Sequence, residues 1–454
     1  MAKVFLSFMN GISPEISNSV MPCFYESFIK GLEDAGNDVL VFHQWGMPYR
    51  PRSETEYDEI REALNDFSPD LVIAFNNYGP DYTKMCECPI LLYEVDSPLY
   101  YDGIDRIKAS PDRFTFLINQ LESKKILIDK FGVKADRIQQ VPFFTEVKSK
   151  KCFKDINISF VGSRFYGQSL HWHDFRCKNP SYEDAQKYRL VVEKLKKNPF
   201  QDAEELCAQY EELKLTTFDI KSLIMGLSTE KRVKILSSVA DLGLALYGTD
   251  EWLHSRDSDI DLYLAYNPKK IYSLQQNQDL YNRSKVCLNV NHLQAVSGFS
   301  WRVCDIMASS GCLVSEESSN LKKYFPNVPI PMFTNKFDCR RQCERILESP
   351  TLQEDISESC QSEIEKKFRF KHVLPIIESS AGIRLFGVTN RKGSLSFVER
   401  KRFDFKIKKG GGKKRSRLAF HCLKLALCQI PGLACVFNQE KLFRRIAGFS
   451  SDNA

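Results

Sequence analysis

At 454 residues the chain is longer than one hydrophobic core comfortably fills, so two domains and an extension are expected. Its 43% hydrophobic content is that of a globular protein, and its fifteen cysteines lack the Cys-x-x-Cys pairs of a zinc or redox site. The net charge of +6 hides an uneven distribution: Arg391–Arg417 holds twelve Lys/Arg against two acids, while the first 390 residues are net −6.

The first part alternates strand and helix. Lys3–Phe8 reads as a strand rather than a signal peptide, so free thiols in a reducing cytoplasm are expected. Ser17–Ala35 carries apolar residues at Val20, Phe24, Phe28 and Leu32, the spacing of a helix, and Gly36 stops it. Strands follow at Asp38–His43, Asp70–Asn76, Pro89–Val95, Arg113–Asn119 and Val141–Phe144, with helices at Glu56–Phe67 and Leu121–Phe131. Near-continuous apolar strands separated by helices predict a doubly wound parallel sheet over residues 1–145.

A basic linker, 146–155, ends that unit, and the pattern restarts over 156–385. Strands are expected at Ile156–Val161, Asp241–Tyr247, Ser284–Val290, Cys312–Val314 and Ile330–Phe333. Helices fill 181–240 as an insertion, and Leu352–Lys367 and His372–Ala381 close the unit. Residues 386–454 remain as a basic tail. Two such sheets would face a cleft lined by the carboxyl ends of their strands, where ligands bind in this architecture.

One stretch concentrates the chemistry. After the strand ending near Asn289, the chain runs through Asn291 and His292 to a Gly298-Phe299-Ser300 turn. A helix follows from about Ser300 to Ser309, carrying Arg302 and Asp305. Unpaired N–H groups at such a turn, with the helix dipole and Arg302, suit a diphosphate. Asp305, about a turn further on, suits ribose hydroxyls. The same residues also fit an ordinary helix–strand connection.

This segment resembles the donor-binding motif of GT-B glycosyltransferases, most closely the CgeB-like (spore-maturation-protein-like) group, through Gly298, Ser300, Arg302, Asp305, Ala308 and Gly311. Many retaining members carry two glutamates with seven residues between them; here those positions are Ser297 and Asp305. The resemblance implies a GT-B fold of two Rossmann-like domains. It also implies transfer of a sugar from a nucleoside-diphosphate sugar to an acceptor hydroxyl, with retention or inversion undecided. A catalytically silent scaffold and a nucleotide-sugar epimerase are the alternatives.

The resemblance places further residues on the cleft. Gly162-Ser163-Arg164 would face the diphosphate, with Arg164 able to bond it bidentately. Tyr247 and Gly248 would lie by the nucleobase. Asn289, Asn291 and His292 would lie near the sugar and phosphates. Asn10 and Gly11 would approach the acceptor. Asp96, at the end of the fourth strand, is the first choice for a general base, with Glu94, His43 and His292 as rivals. Asp257-Ser-Asp259 has the Asp-x-Asp pattern of a metal site but sits in a polar loop, so no metal and no cofactor are expected.

The tail completes the reading. Basic clusters broken by Gly410–Gly412 precede an apolar stretch, 418–437, with Arg417, His421 and Lys424 on one stripe. A helix lying on an anionic membrane fits this better than a spanning one. A peripheral place on the inner membrane face is therefore expected. The partners would be a nucleotide sugar and a glycan, lipid-linked or protein acceptor. Nucleic acid is not expected, since no recognised module accompanies the basic run.

Overall fold

The computed structural model describes residues 1–10, 21–45, 54–77, 79–101, 104–165, 181–257, 259–385 and 392–398. Strands β1 (Lys3–Asn10), β2 (Asp38–Trp45), β3 (Leu71–Phe75), β4 (Ile90–Tyr93), β5 (Phe114–Ile118) and β6 (Ile138–Gln140) form the first sheet. Strands β7 (Ile156–Val161), β8 (Leu244–Tyr247), β9 (Ser284–Asn289), β10 (Cys312–Glu316) and β11 (Met332–Phe333) form the second. A last strand, β12 (Leu395–Phe397), returns to the first sheet beside β2. The orders are β12-β2-β1-β3-β4-β5-β6 and β11-β10-β9-β7-β8, and every pairing is parallel.

These are the two parallel α/β sheets in tandem that the sequence pattern predicts. Strands such as Leu71–Phe75 and Phe114–Ile118 are buried at every position, as a parallel sheet covered on both faces requires. Strand order reverses at β1 in the first sheet and at β7 in the second. The crevice beyond their carboxyl ends is where such sheets bind ligands.

The two domains share one apolar core. It runs from Val4, Leu6 and Phe24 through Val141 and Phe144 into Ile158, Leu288 and Ile306. The helix Cys23–Asp34 is central to it. Its Phe24 stacks on Trp301 of the second domain at 5.3 Å between ring centroids. A side chain at its Gly31 would strike the ring of Phe370, so helix Phe370–Ala381 of the second half can lie directly against it. The linker is pinned by Arg369, whose guanidinium donates to the carbonyls of Thr145 (2.9 Å) and Val147 (2.6 Å).

The insertion forms helices Tyr182–Lys197, Ala203–Gln209 and Thr217–Ser237. Reciprocal capping boxes at Ser181/Asp184 and Thr216/Asp219 start the first and third. Its own small core includes Tyr188, Leu206 and Leu223. It also touches the first domain, through Phe200 against that domain's core and through the Lys130–Asp202 ion pair.

Several expected boundaries move. The strand expected at Val141–Phe144 lies at Ile138–Gln140; Pro142 lacks the N–H a ladder needs. Part of the expected tail, Leu395–Phe397, is strand. The remaining tail beyond Val398, with its expected membrane-facing stripe, lies outside the described residues. Among the described residues no helix is long and apolar enough to cross a membrane.

Candidate active site

At the reversal point of the second sheet, two arginines converge. Arg302 opens the helix Arg302–Met307, and Arg232 comes from the long helix Thr217–Ser237. Their guanidinium groups both lie over the ring of Phe160 on β7, at 5.6 and 5.9 Å. Arg302 donates to Asn289 Oδ1 (3.3 Å), and Arg232 donates to the carbonyl of Ser163 (2.7 Å).

Arg232 is 5% exposed, and its Nε has no hydrogen-bond partner. Among the described residues neither arginine has a carboxylate within ion-pair reach. Burial, and then the neighbouring Arg302 charge, push the Arg232 guanidinium down to about 9. Guanidinium groups do not give up their proton in proteins, so the strain is borne as unbalanced positive charge. Two like charges side by side, Arg232 buried and Arg302 half-buried, make a candidate anion site.

The surrounding loops are rigid. The N–H of Gly162 donates to the carbonyl of Tyr247 (3.0 Å), and Trp252 Nε1 donates to the carbonyl of Gly162 (2.7 Å). Gly248 has φ +152°, and a Cβ there would strike the carbonyl of Gly162. The expected residues Gly162, Ser163, Tyr247 and Gly248 are thus brought together. The carbonyl of Arg164 accepts from the Thr229 hydroxyl, and the Arg164 side chain is buried.

Asn289 and Asn291 are buried and bonded to each other (2.9 Å), and Asn289 also donates to Ser315 Oγ (3.0 Å). The N–H of Asn291 donates to Glu316 (2.9 Å), whose carboxylate also takes both bonds from Lys231, at 2.9 and 3.0 Å. These asparagines brace the floor of the anion site. His292 touches Met225 Sδ at 3.1 Å, and the edge of the Phe165 ring faces it. Burial, followed by Arg232 and Lys231, holds His292 far below its usual range, so it is neutral. A group so reluctant to bind a proton is poorly suited as a base.

Two expectations need correction. At the turn, the N–H groups of Arg302 and Val303 bond to Ser300 Oγ (3.3 Å) and to the Ser300 carbonyl (3.0 Å), so these two are engaged within the turn itself. The Phe299 ring is a core group among Phe143, Tyr324 and Phe325, and Gly298 faces Asn119 and Gln120 of the first domain.

Asp305, expected at a ribose, is 2% exposed, and its Oδ1 accepts from Thr145 Oγ1 (2.6 Å) in the seam between the domains. Burial pushes its carboxyl up to about 6, against the lowering pull of Thr145 and Cys23. In this conformation a ribose has no access to it.

Glu94, a rival for the base, is 1% exposed. It accepts from the N–H of Asn119 (2.8 Å) and from the Ser123 hydroxyl, and burial raises it to about 7. It fastens β4 to the loop after β5.

Asp96 is different. It is solvent-exposed, yet enough protein surrounds it for burial to raise its carboxyl, against a lowering hydrogen bond from Asn76 Nδ2 (2.8 Å). Access from one side with protein on the others describes a group on a cleft floor. Burial, and then the Asp96 charge, raise Tyr25, whose ring lies 6.3 Å from Trp301, the residue before Arg302. Asp96 follows the carboxyl end of β4, and the arginine pair lies at the carboxyl ends of β7 and β9, the strand ends beyond which such sheets bind ligands. Ser297 donates to Glu122, and Asn320 Nδ2 to the carbonyl of Asn119 (2.8 Å), tying the two domains together.

The side chains of Asn10 and His43, and the whole of Gly11, lie outside the described residues. Asp259 caps helix Ile260–Ala265 through the N–H of Leu262 (3.0 Å), a structural use of that carboxylate. Among the described residues no cluster of His, Cys, Asp and Glu could hold a metal ion. Sequence reasoning missed Lys231 and Arg232, which fall inside the helical insertion expected at 181–240; their signal is burial that the fold itself creates.

Residues 231–378 match the family model described as "Glycosyl transferase-like". The match covers about a third of the chain and takes in Arg232, Arg302 and Glu316. No curated protein sequence matches. Among solved structures, a sucrose-phosphate synthase from Thermosynechococcus elongatus is similar at 11% identity, covering 83% of this chain and 97% of its own, with a TM-score of 0.45. The T4 phage BGT in complex with its UDP-glucose substrate is similar at 11% identity, 84% and 100% coverage and a TM-score of 0.47. Anabaena HepE in complex with UDP is similar at 9% identity, 84% and 100% coverage and a TM-score of 0.43.

Proposed function

We propose that this chain is a glycosyltransferase that moves a sugar from a nucleoside-diphosphate sugar to an acceptor hydroxyl. The observation that carries this reading is the pair Arg232 and Arg302 at the reversal point of the second sheet, neither of them in direct ion-pair contact with a carboxylate among the described residues. The glycosyl transferase-like family match over the same residues supports it. The finer likeness to CgeB-like proteins rests on Gly298 to Gly311 alone.

The diphosphate lies between the two guanidinium groups, and the leaving group's growing charge is stabilised there without a metal ion. Loops 162–164 and 247–249 hold the nucleoside side. Asp96, across the groove, takes the acceptor's proton. A base acting on the acceptor hydroxyl belongs to direct displacement, so this reading expects inversion at the anomeric carbon. The acceptor is a glycan, lipid-linked or protein hydroxyl, and the basic tail brings the enzyme to an anionic membrane surface.

Thermal shift and calorimetry with UDP, GDP, ADP and their sugars test the donor class. Binding of one nucleoside diphosphate that disappears in Arg302→Ala is the expected result. If none of them binds the wild-type chain, the reading fails. Anomeric proton couplings of the product then report inversion or retention.

A further inference from the structure

Asp96 does not set its own orientation. The residue after β3, Asn76, is 1% exposed and sits in the left-handed region at φ +52°, followed by Asn77 at +54°. Two successive non-glycine residues in that region cost of order 1 kcal/mol or more each and persist only where the surroundings fix them. Asparagine tolerates the conformation better than most residues, because its short amide can bond locally.

At this point the bonding is not to its own loop but to the next strand. Asn76 Oδ1 accepts from the N–H groups of Val95 (2.8 Å) and Asp96 (2.9 Å). Its Nδ2 donates to Asp96 Oδ2 (2.8 Å). The Asn76 N–H donates to the carbonyl of Tyr93, at 3.1 Å. One side chain therefore holds two backbone groups and one carboxylate oxygen of the β4 exit loop. Among the described residues Asp96 Oδ1 makes no hydrogen bond.

We propose that Asn76 is the positioning residue for the general base: it occupies Asp96 Oδ2 and aims the unpartnered Oδ1 into the groove. This rests on Asp96 being the base. In donor hydrolysis, Oδ1 takes a proton from water, and the water oxygen bonds to the anomeric carbon. The bond from that carbon to the diphosphate breaks, and its electron pair leaves on the nucleoside diphosphate. Burial raises the Asp96 carboxyl, and the amide opposes that rise, because a donor on a carboxylate favours the charged form. The titratable group facing Asp96 among the described residues is Tyr25, which burial keeps protonated.

The test uses the full chain, with hydrolysis of the nucleotide sugar that gives the largest thermal shift. Asn76→Gly tolerates the positive φ but removes the clamp; kcat should fall at least about tenfold with the donor KM within about twofold. Asn76→Asp keeps an acceptor for both N–H groups but sets a carboxylate against Asp96. The acid limb of its kcat profile should move up by about one pH unit, with activity recovering at high pH. Wild-type kcat and pH profile in both variants, beside an inactive Asp96→Asn, would overturn the role of Asn76 and leave Asp96 as the base. An active Asp96→Asn, or a wild-type chain that hydrolyses no donor, would overturn both.

Discussion

Arg232→Met replaces a buried cation by an apolar side chain of similar length, and it should make the unliganded protein more stable while weakening donor binding. Burial, and then the Arg302 charge, hold the guanidinium well below its usual range, at about 9, which at 1.36 kcal/mol per unit is on the order of 5 kcal/mol of electrostatic strain. Against that stand the bond to the Ser163 carbonyl, about 1.5–3 kcal/mol for a charged donor, and a long, weaker one to the Val290 carbonyl (3.5 Å). The net is a gain of about 2 kcal/mol, in the range seen when buried charges give way to well-packed hydrophobes. Loss of one buried charge-assisted contact to the diphosphate costs about 2–4 kcal/mol, or about 30- to 1000-fold in affinity. Urea unfolding without ligand gives the first number, and calorimetry with the nucleoside diphosphate selected by thermal shift gives the second. A variant that is less stable and binds that ligand as tightly as the wild type would refute the anion site.

Further outcomes follow from the same coordinates. Glu94 has a folded value of about 7 against 4.5 in a free chain, so the folded state binds the extra proton and stability declines as pH rises from about 4.5 to 7. Glu94→Gln should flatten urea-midpoint profiles across that window, a contribution of at most about 3 kcal/mol. Asp305→Asn should raise the melting temperature at pH 7.5, because the buried carboxyl at about 6 is ionised there, and should leave nucleotide affinity within about twofold. A large loss of affinity would restore Asp305 to the ribose. Gly248→Ala, forced against the Gly162 carbonyl at φ +152°, should cost about 2 kcal/mol or more in unfolding experiments and weaken nucleotide binding in calorimetry.

Most of the fold was legible because parallel strands buried on both faces are near-continuous apolar runs, as in Leu71–Phe75 and Cys312–Glu316. Glycine-containing loops at strand ends marked the groove for the same reason. What failed was the assignment of side chains across the seam. Asp305 has the helical position of a ligand group, but Thr145, 160 residues away, takes its carboxylate. Phe299 lies in a motif yet packs into a shared core that only the docking of two domains creates. Arg232 sits on a helix whose charged neighbours Glu230 and Lys234 pair at the surface, so only tertiary structure distinguishes it. Asn76 gave no pattern at all, because its partners lie on the adjacent strand.

Strand β12 carries a consequence for how the protein meets its surroundings. It runs parallel to β2, with Leu395 beside Val39 and Phe397 beside Val41. Strand β12 therefore forms the first domain's outer edge and points the way β1 and β3 point. The cationic run that comes next in the sequence is covalently joined to that edge, so whatever neutralises the run is tied to the first domain rather than to the second.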